Sequence, residues 1–203
     1  MQRPVEHRHA TRRRPGARRH PHARLLGFTE RQWPFIFVLV GNWLFSAAFF
    51  LTAKLVWDWV PTDWTIGDRI ALVIKDAVVA ILPAVLAICI VAAQRLDPSM
   101  FVGRVPKPNS AVDINNRFIL NTVEQFILYF IGNAGLALYC PQQEARSLII
   151  LTALFLLGRV LFWIGYHQNP YLRAFGFGIT FYPTVMVYVW LILRMVFGIE
   201  IRI

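Results

Sequence analysis

Arg117, Asn121 and Glu124 stand at i, i+4 and i+7, and Arg159, Tyr166 and Arg173 follow one another at intervals of seven. Each of the first two spacings places its members on one side of a helix. The surrounding segments, FILNTVEQFILYF and LFLLGRVLFWIGY, have the composition of membrane-embedded helices. An ionisable group in such a segment costs roughly 3 kcal/mol unless it is partnered. Opposite charges on neighbouring helices therefore predict a polar pocket inside the membrane. Arginine forks match carboxylates, and a cation beside sulfur stabilises a thiolate, so the pocket suits an anionic ligand. The competing arrangement is an ionic clasp, with Glu124 neutralising Arg159 and Asn121 bonding across helices. The clasp uses one arginine, whereas several gather near the same level, so the anion site is the stronger expectation.

The elements that must position these residues are apolar runs near membrane length. Five are present: Phe35–Trp57, Ile70–Gln94, Phe118–Tyr139, Ser147–Tyr166 and Ala174–Phe197. At 1.5 Å per residue each is long enough for a hydrocarbon core of about 30 Å. A hydrophobic fraction of 57% excludes an ordinary soluble domain, and the short connections leave no room for a separate soluble enzyme. The expected fold is all-α, a polytopic membrane bundle.

The net charge of +10 is concentrated in residues 1–31, which hold four of the five His. A basic tail ahead of a first span is the positive-inside signal, so the expectation is a disordered cytoplasmic tail and no nucleic-acid partner. With the N-terminus inside, the inner connections are 95–117, which holds Arg104 and Lys107, and 167–173. Trp33 then marks the inner interface, and Trp57, Trp59 and Trp64 the outer one. All six polar groups converge on the inner half of the bilayer. The Arg-heavy tail points to a bacterial inner membrane. The first run is too long for a cleaved signal peptide.

Other polar residues read more plainly. Lys75 and Asp76 point about 100° apart and read as snorkelling groups near an interface, as do Lys54 and Arg194. Asn42 and Asn133 are expected to bond between helices, and Asp113 or Asn115 to cap the third helix. Pro83 and Pro183 fall inside the second and fifth runs and predict kinks. Cys89 and Cys140 lie too differently for a disulfide, and the His set has no metal-ligand spacing. No internal repeat is visible, which disfavours a transporter or channel.

Residues 114–176, with INNRFILNTVEQF followed by LGRVLFWIGYHQNPYLRAFGF, resemble the MAPEG family, membrane-associated proteins in eicosanoid and glutathione metabolism. The likeness extends over roughly residues 70–197. It implies a four-helix unit within 70–203, an additional transmembrane helix and outer loop at 32–69, and the basic tail at 1–31. By resemblance the chain forms a homotrimer that binds glutathione as co-substrate near the cytoplasmic face. Arg95, Arg117, Asn121, Glu124, Arg159 and Tyr166 would hold the tripeptide, with Glu124 on its ammonium group and Arg173 approaching the thiol as the catalytic residue. A glutathione transferase or peroxidase acting on lipophilic small molecules from the lipid bilayer is the implied activity. Phe162 and Gln125 depart from the pattern, standing where some catalytic relatives carry tyrosines. The alternative function is a non-catalytic membrane scaffold or lipid-interacting protein.

Overall fold

The computed structural model describes residues 33–57, 63–96 and 105–199. The chain divides into two units, Met1–Trp33 and Pro34–Ile203. The basic tail, Trp59, Pro98 and Arg104 lie outside the described residues. Among the described residues five α-helices run in order: α1 (Trp33–Val56), α2 (Ile66–Gln94), α3 (Ala111–Tyr139), α4 (Arg146–Gln168) and α5 (Pro170–Phe197). The protein is an all-helical, multi-pass integral membrane protein, as its composition predicted.

Among the described residues, four helical segments are long and apolar enough to cross a membrane: α1, α2, α5 and the stretch Gln142–Gln168 that contains α4. α3 is not among them, although at 29 residues it equals α2 in length. Each of the five expected apolar runs falls on one of the five helices, and α3 is the least apolar of them. Asn115, Asn116, Arg117, Asn121, Glu124, Gln125 and Asn133 lower the apolarity of α3, and it is this helix that carries most of the candidate site.

Helix ends follow local chemistry. Ser110, not Asp113 or Asn115, caps α3, its hydroxyl accepting from the Asp113 N–H at 3.3 Å. Asp113 is thereby free to serve as an acceptor for Arg117. Thr65 and Asp68 form a reciprocal capping box at the start of α2. The side chain of Asn169 caps α5, with Pro170 in its first turn, where a missing N–H costs nothing. α2 and α5 continue as helix through Pro83 and Pro183.

α3 and α4 each touch α2 and α5 as well as one another, while α2 and α5 lie apart. The α4–α5 pairing is the tightest, because glycines remove the side chains that would hold the backbones apart. A Cβ at Gly165 would stand 2.2 Å from the Arg173 nitrogen, and one at Gly176 would stand 2.3 Å from the Phe162 nitrogen. On another face of α5, a Cβ at Gly178 would meet the Asn42 amide at 1.9 Å, so α1 lies against α5. Trp43 stacks on Tyr182 with centroids 5.1 Å apart, and Phe45 meets Phe175 edge-on at 5.5 Å. Asn42 Oδ1 and Ser46 Oγ have no partner there, so Asn42 contributes fit rather than the expected hydrogen bond. Lys54 is not a lone snorkelling group but pairs with Glu144, and Arg146 donates to the carbonyls of Lys54 and Trp57. Cys89 and Cys140 are both free.

Candidate functional site

Arg159 lies in the middle of the described bundle with 0% exposure. The neighbouring Gly158 lies against α5, where a Cβ would stand 2.3 Å from the Thr180 methyl. The Arg159 guanidinium donates from Nη1 to Asn121 Oδ1 at 2.9 Å and from Nη2 to Thr180 Oγ1. The Phe162 ring lies 4.6 Å from it and the Phe155 ring 5.7 Å, both within cation–π range. Nε has no hydrogen-bond partner. No carboxylate pairs with Arg159 among the described residues. The expected clasp is absent: Glu124 is exposed and forms no ion pair, because α3 turns Gln125 rather than Glu124 inward. A buried cation held only by neutral groups and ring faces keeps its full field in the surrounding low dielectric.

Around it the other candidates divide. Tyr166 lies within electrostatic reach of both Arg117 and Arg159. Its ring supports the Arg173 guanidinium at 4.9 Å, a contact that depends on the Gly165 approach. Arg173 is otherwise exposed. Arg117 is also exposed and already carries an ion pair, its Nη2 on Asp113 Oδ2. That pairing, with a backbone N–H from Asn109, holds the Asp113 carboxyl below its ordinary range. Arg95 closes α2 at its C-cap and is exposed. Asn121, Arg159, Tyr166 and Arg173 therefore form a connected set and Arg117 borders it, while Arg95 and Glu124 make no contact with it.

Several participants carried no signal in the sequence. Thr180, the second anchor of Arg159, reads as one more small residue in an apolar run. Asn115 is buried, and its Oδ1 accepts from Trp163 Nε1 at 3.0 Å and lies 3.3 Å from His167 Nε2. Its Nδ2 reaches Gln94 Oε1 at 3.5 Å, so this one amide joins α2, α3 and α4 beside Arg95 and Arg117. The adjacency of Asn115 to the motif could have flagged it. Phe162 forms the floor under Arg159. Gln125 is buried with its Oε1 unpartnered.

Nearer the other end lies a second polar set. Asp76 is half-buried and accepts from Thr152 Oγ1 at 3.0 Å, and the Tyr129 hydroxyl lies 2.6 Å from the same oxygen. Asp76 thus faces the bundle rather than snorkelling outward, as the adjacent Lys75 does. The 100° step between the two residues sends one in and one out.

The model of the MAPEG family matches residues 76–193, more than half of the chain. The match begins within α2 and leaves α1 outside. Among curated proteins, Transmembrane protein 79 of Mus musculus and that of Bos taurus are each 31% identical over 128 residues. That alignment covers 62% of this chain and 32% of either relative, so the chain spans about a third of their length. No solved structure gives a significant match.

Proposed function

This chain belongs to the MAPEG family, and from that premise we propose that the cluster around Arg159 binds glutathione and activates its thiol toward lipophilic electrophiles. The observation that carries this reading is the buried guanidinium of Arg159, without a counter-ion among the described residues, in a cluster that also holds exposed Arg117 and Arg173. Glutathione brings two carboxylates, one ammonium and one thiol. Arg117 and Arg95 are the carboxylate contacts and Glu124, exposed and unpaired, is the ammonium contact. Arg159 acts from beneath, fixing Asn121 and lending its field. Arg173, held on the Tyr166 ring, stabilises the thiolate; each unit by which it lowers the thiol pKa is worth about 1.4 kcal/mol. The apolar co-substrate reaches the thiolate from the bilayer, and catalysis rests on positioning and charge stabilisation.

Glu124, Arg117 and Arg173 stand on the surface of one chain, so the cleft needs a second copy to enclose a ligand. A homotrimer with the site between subunits, near a cytoplasmic face that also holds the N-terminus, is the proposed assembly. The rival is a scaffold that keeps the fold without glutathione; Phe162 and Gln125 favour it, since neither offers a hydroxyl to the cleft.

Calorimetric titration of glutathione into the purified protein in lipid nanodiscs separates the two. We expect saturable binding that Glu124→Gln weakens at least about tenfold, the worth of one charge-assisted contact. Arg173→Ala should lower turnover of a model electrophile more than it lowers affinity. No binding by the wild type would leave the scaffold. A separate expectation concerns Asp113, which competes with the ligand for Arg117. Asp113→Asn should tighten glutathione about threefold, as release from an exposed pair allows. An unchanged affinity would remove Arg117 from the contact set.

A further inference from the structure

Away from the arginine cluster, Trp64, Asp68, Ala71, Leu72 and Lys75 line an open groove of ≈ 320 Å³ along α2. Residues 68, 71, 72 and 75 recur at i, i+3, i+4 and i+7 and so share one face. α2 begins at Ile66, which puts Asp68 nearer the membrane surface and Lys75 about 10 Å deeper, whichever way the bundle is oriented. A lysine at that depth extends its stem toward the surface. Its ammonium is in fact close enough to Asp68 to interact with it electrostatically, yet no ion pair forms. Both bonds that Asp68 accepts from Thr65 side-chain and backbone groups fall on Oδ2, and neither uses Oδ1 of this groove-lining residue. Below Lys75 the exposed helix surface continues as Val78, Val79, Leu82 and Leu86. That is about 12 Å of apolar helix, most of the hydrocarbon depth of one leaflet.

From the surface inward the order is carboxylate, ammonium, hydrocarbon-binding strip. A zwitterionic phospholipid in the same leaflet runs ammonium, phosphate, acyl chain, the complement at every level. We propose that this face of α2 is a binding site for a zwitterionic phospholipid, with its ammonium on Asp68 and its phosphate on Lys75. Trp64 sits at headgroup level, where an indole face attracts an ammonium. A lipid with a phosphate but no ammonium gains Lys75 and is repelled by Asp68. The site therefore selects by headgroup charge order and not by net positive attraction.

The test uses the full-length protein reconstituted in vesicles of equal phosphatidylethanolamine and phosphatidylglycerol, followed by native mass spectrometry of the lipids retained. Wild type should retain phosphatidylethanolamine over phosphatidylglycerol by about fivefold, and Lys75→Gln should lose a similar factor of that retention. Asp68→Asn, which keeps an acceptor oxygen for the Thr65 cap, should turn the preference toward phosphatidylglycerol. Both positions are exposed, and circular dichroism confirms that the helices persist in each variant. Equal retention of the two lipids by wild type, or unchanged retention by Lys75→Gln, would overturn the proposal. So would a protein–protein assembly lost with Lys75→Gln, because the face would then belong to a second copy.

Discussion

Arg159→Met is expected to weaken glutathione binding by about a hundredfold while changing the thermal midpoint little. The side chain has 0% exposure and donates to Asn121 and Thr180. Loss of a desolvated charge acting on an anionic ligand is worth about 2–5 kcal/mol in comparable complexes, and about 1.4 kcal/mol is a factor of ten. Stability responds differently because two effects oppose each other. Methionine forfeits two charge-assisted bonds, but it also relieves the desolvation of a buried cation, which apolar replacements often do without net cost. The groups left behind have other outlets: Thr180 Oγ1 already donates to the Phe177 carbonyl at 2.8 Å, and Asn121 is half-buried. Glutathione titration and thermal unfolding of the same preparation decide the matter. A collapse of stability with binding intact would make Arg159 a packing device and would end its part in the site.

Gly165→Val is expected to lower stability by about 3 kcal/mol, the upper end of overpacking costs. The added Cβ would stand 2.2 Å from the Arg173 nitrogen and 2.5 Å from its Cα, both backbone atoms that cannot rotate aside. α4 and α5 must separate, and Tyr166 then loses its 4.9 Å contact with Arg173. Gly41→Ala supplies the control, because a Cβ there meets nothing within 4 Å. It should be neutral or stabilising by about 0.5 kcal/mol through helix propensity. Thermal melts followed by circular dichroism compare the two. Equal midpoints for Gly165→Val and wild type would show that the glycine does not set the spacing.

Much of the molecule was legible in its residues, and what was not shares one cause. Apolar run length located all five helices, α1 to α5, because a helix in lipid must satisfy its backbone internally and expose apolar side chains. The spacing of Arg117, Asn121, Glu124, Arg159, Tyr166 and Arg173 drew attention to these residues, of which Glu124 lies apart from Arg159. Rotation about each helix axis was the hidden variable. In water an amphipathic stripe reveals which face is buried, but in lipid the inner and outer faces are both apolar and that contrast fades. Glu124 and Gln125 are neighbours, and only the packed α3 decides that Gln125 goes in and Glu124 stays out. The same ambiguity concealed Asp76, which reads as an interfacial group beside Lys75 and instead meets Thr152 on α4.

The sequence by itself determined a multi-pass helical membrane protein of the MAPEG family with an arginine-rich motif on three successive helices. Run length, charge and spacing are local properties, and they suffice for that. Tertiary structure alone decided the partners. Arg159 bonds to Thr180 and Asn121 instead of Glu124, and Arg117 is taken by Asp113 because Ser110 has assumed the cap. Gly165 and Gly176 bring α4 and α5 to backbone contact, so that Arg173 comes to rest on Tyr166. Those outcomes depend on helix rotation and close approach, quantities that are set when the helices pack against one another and by nothing within any one of them.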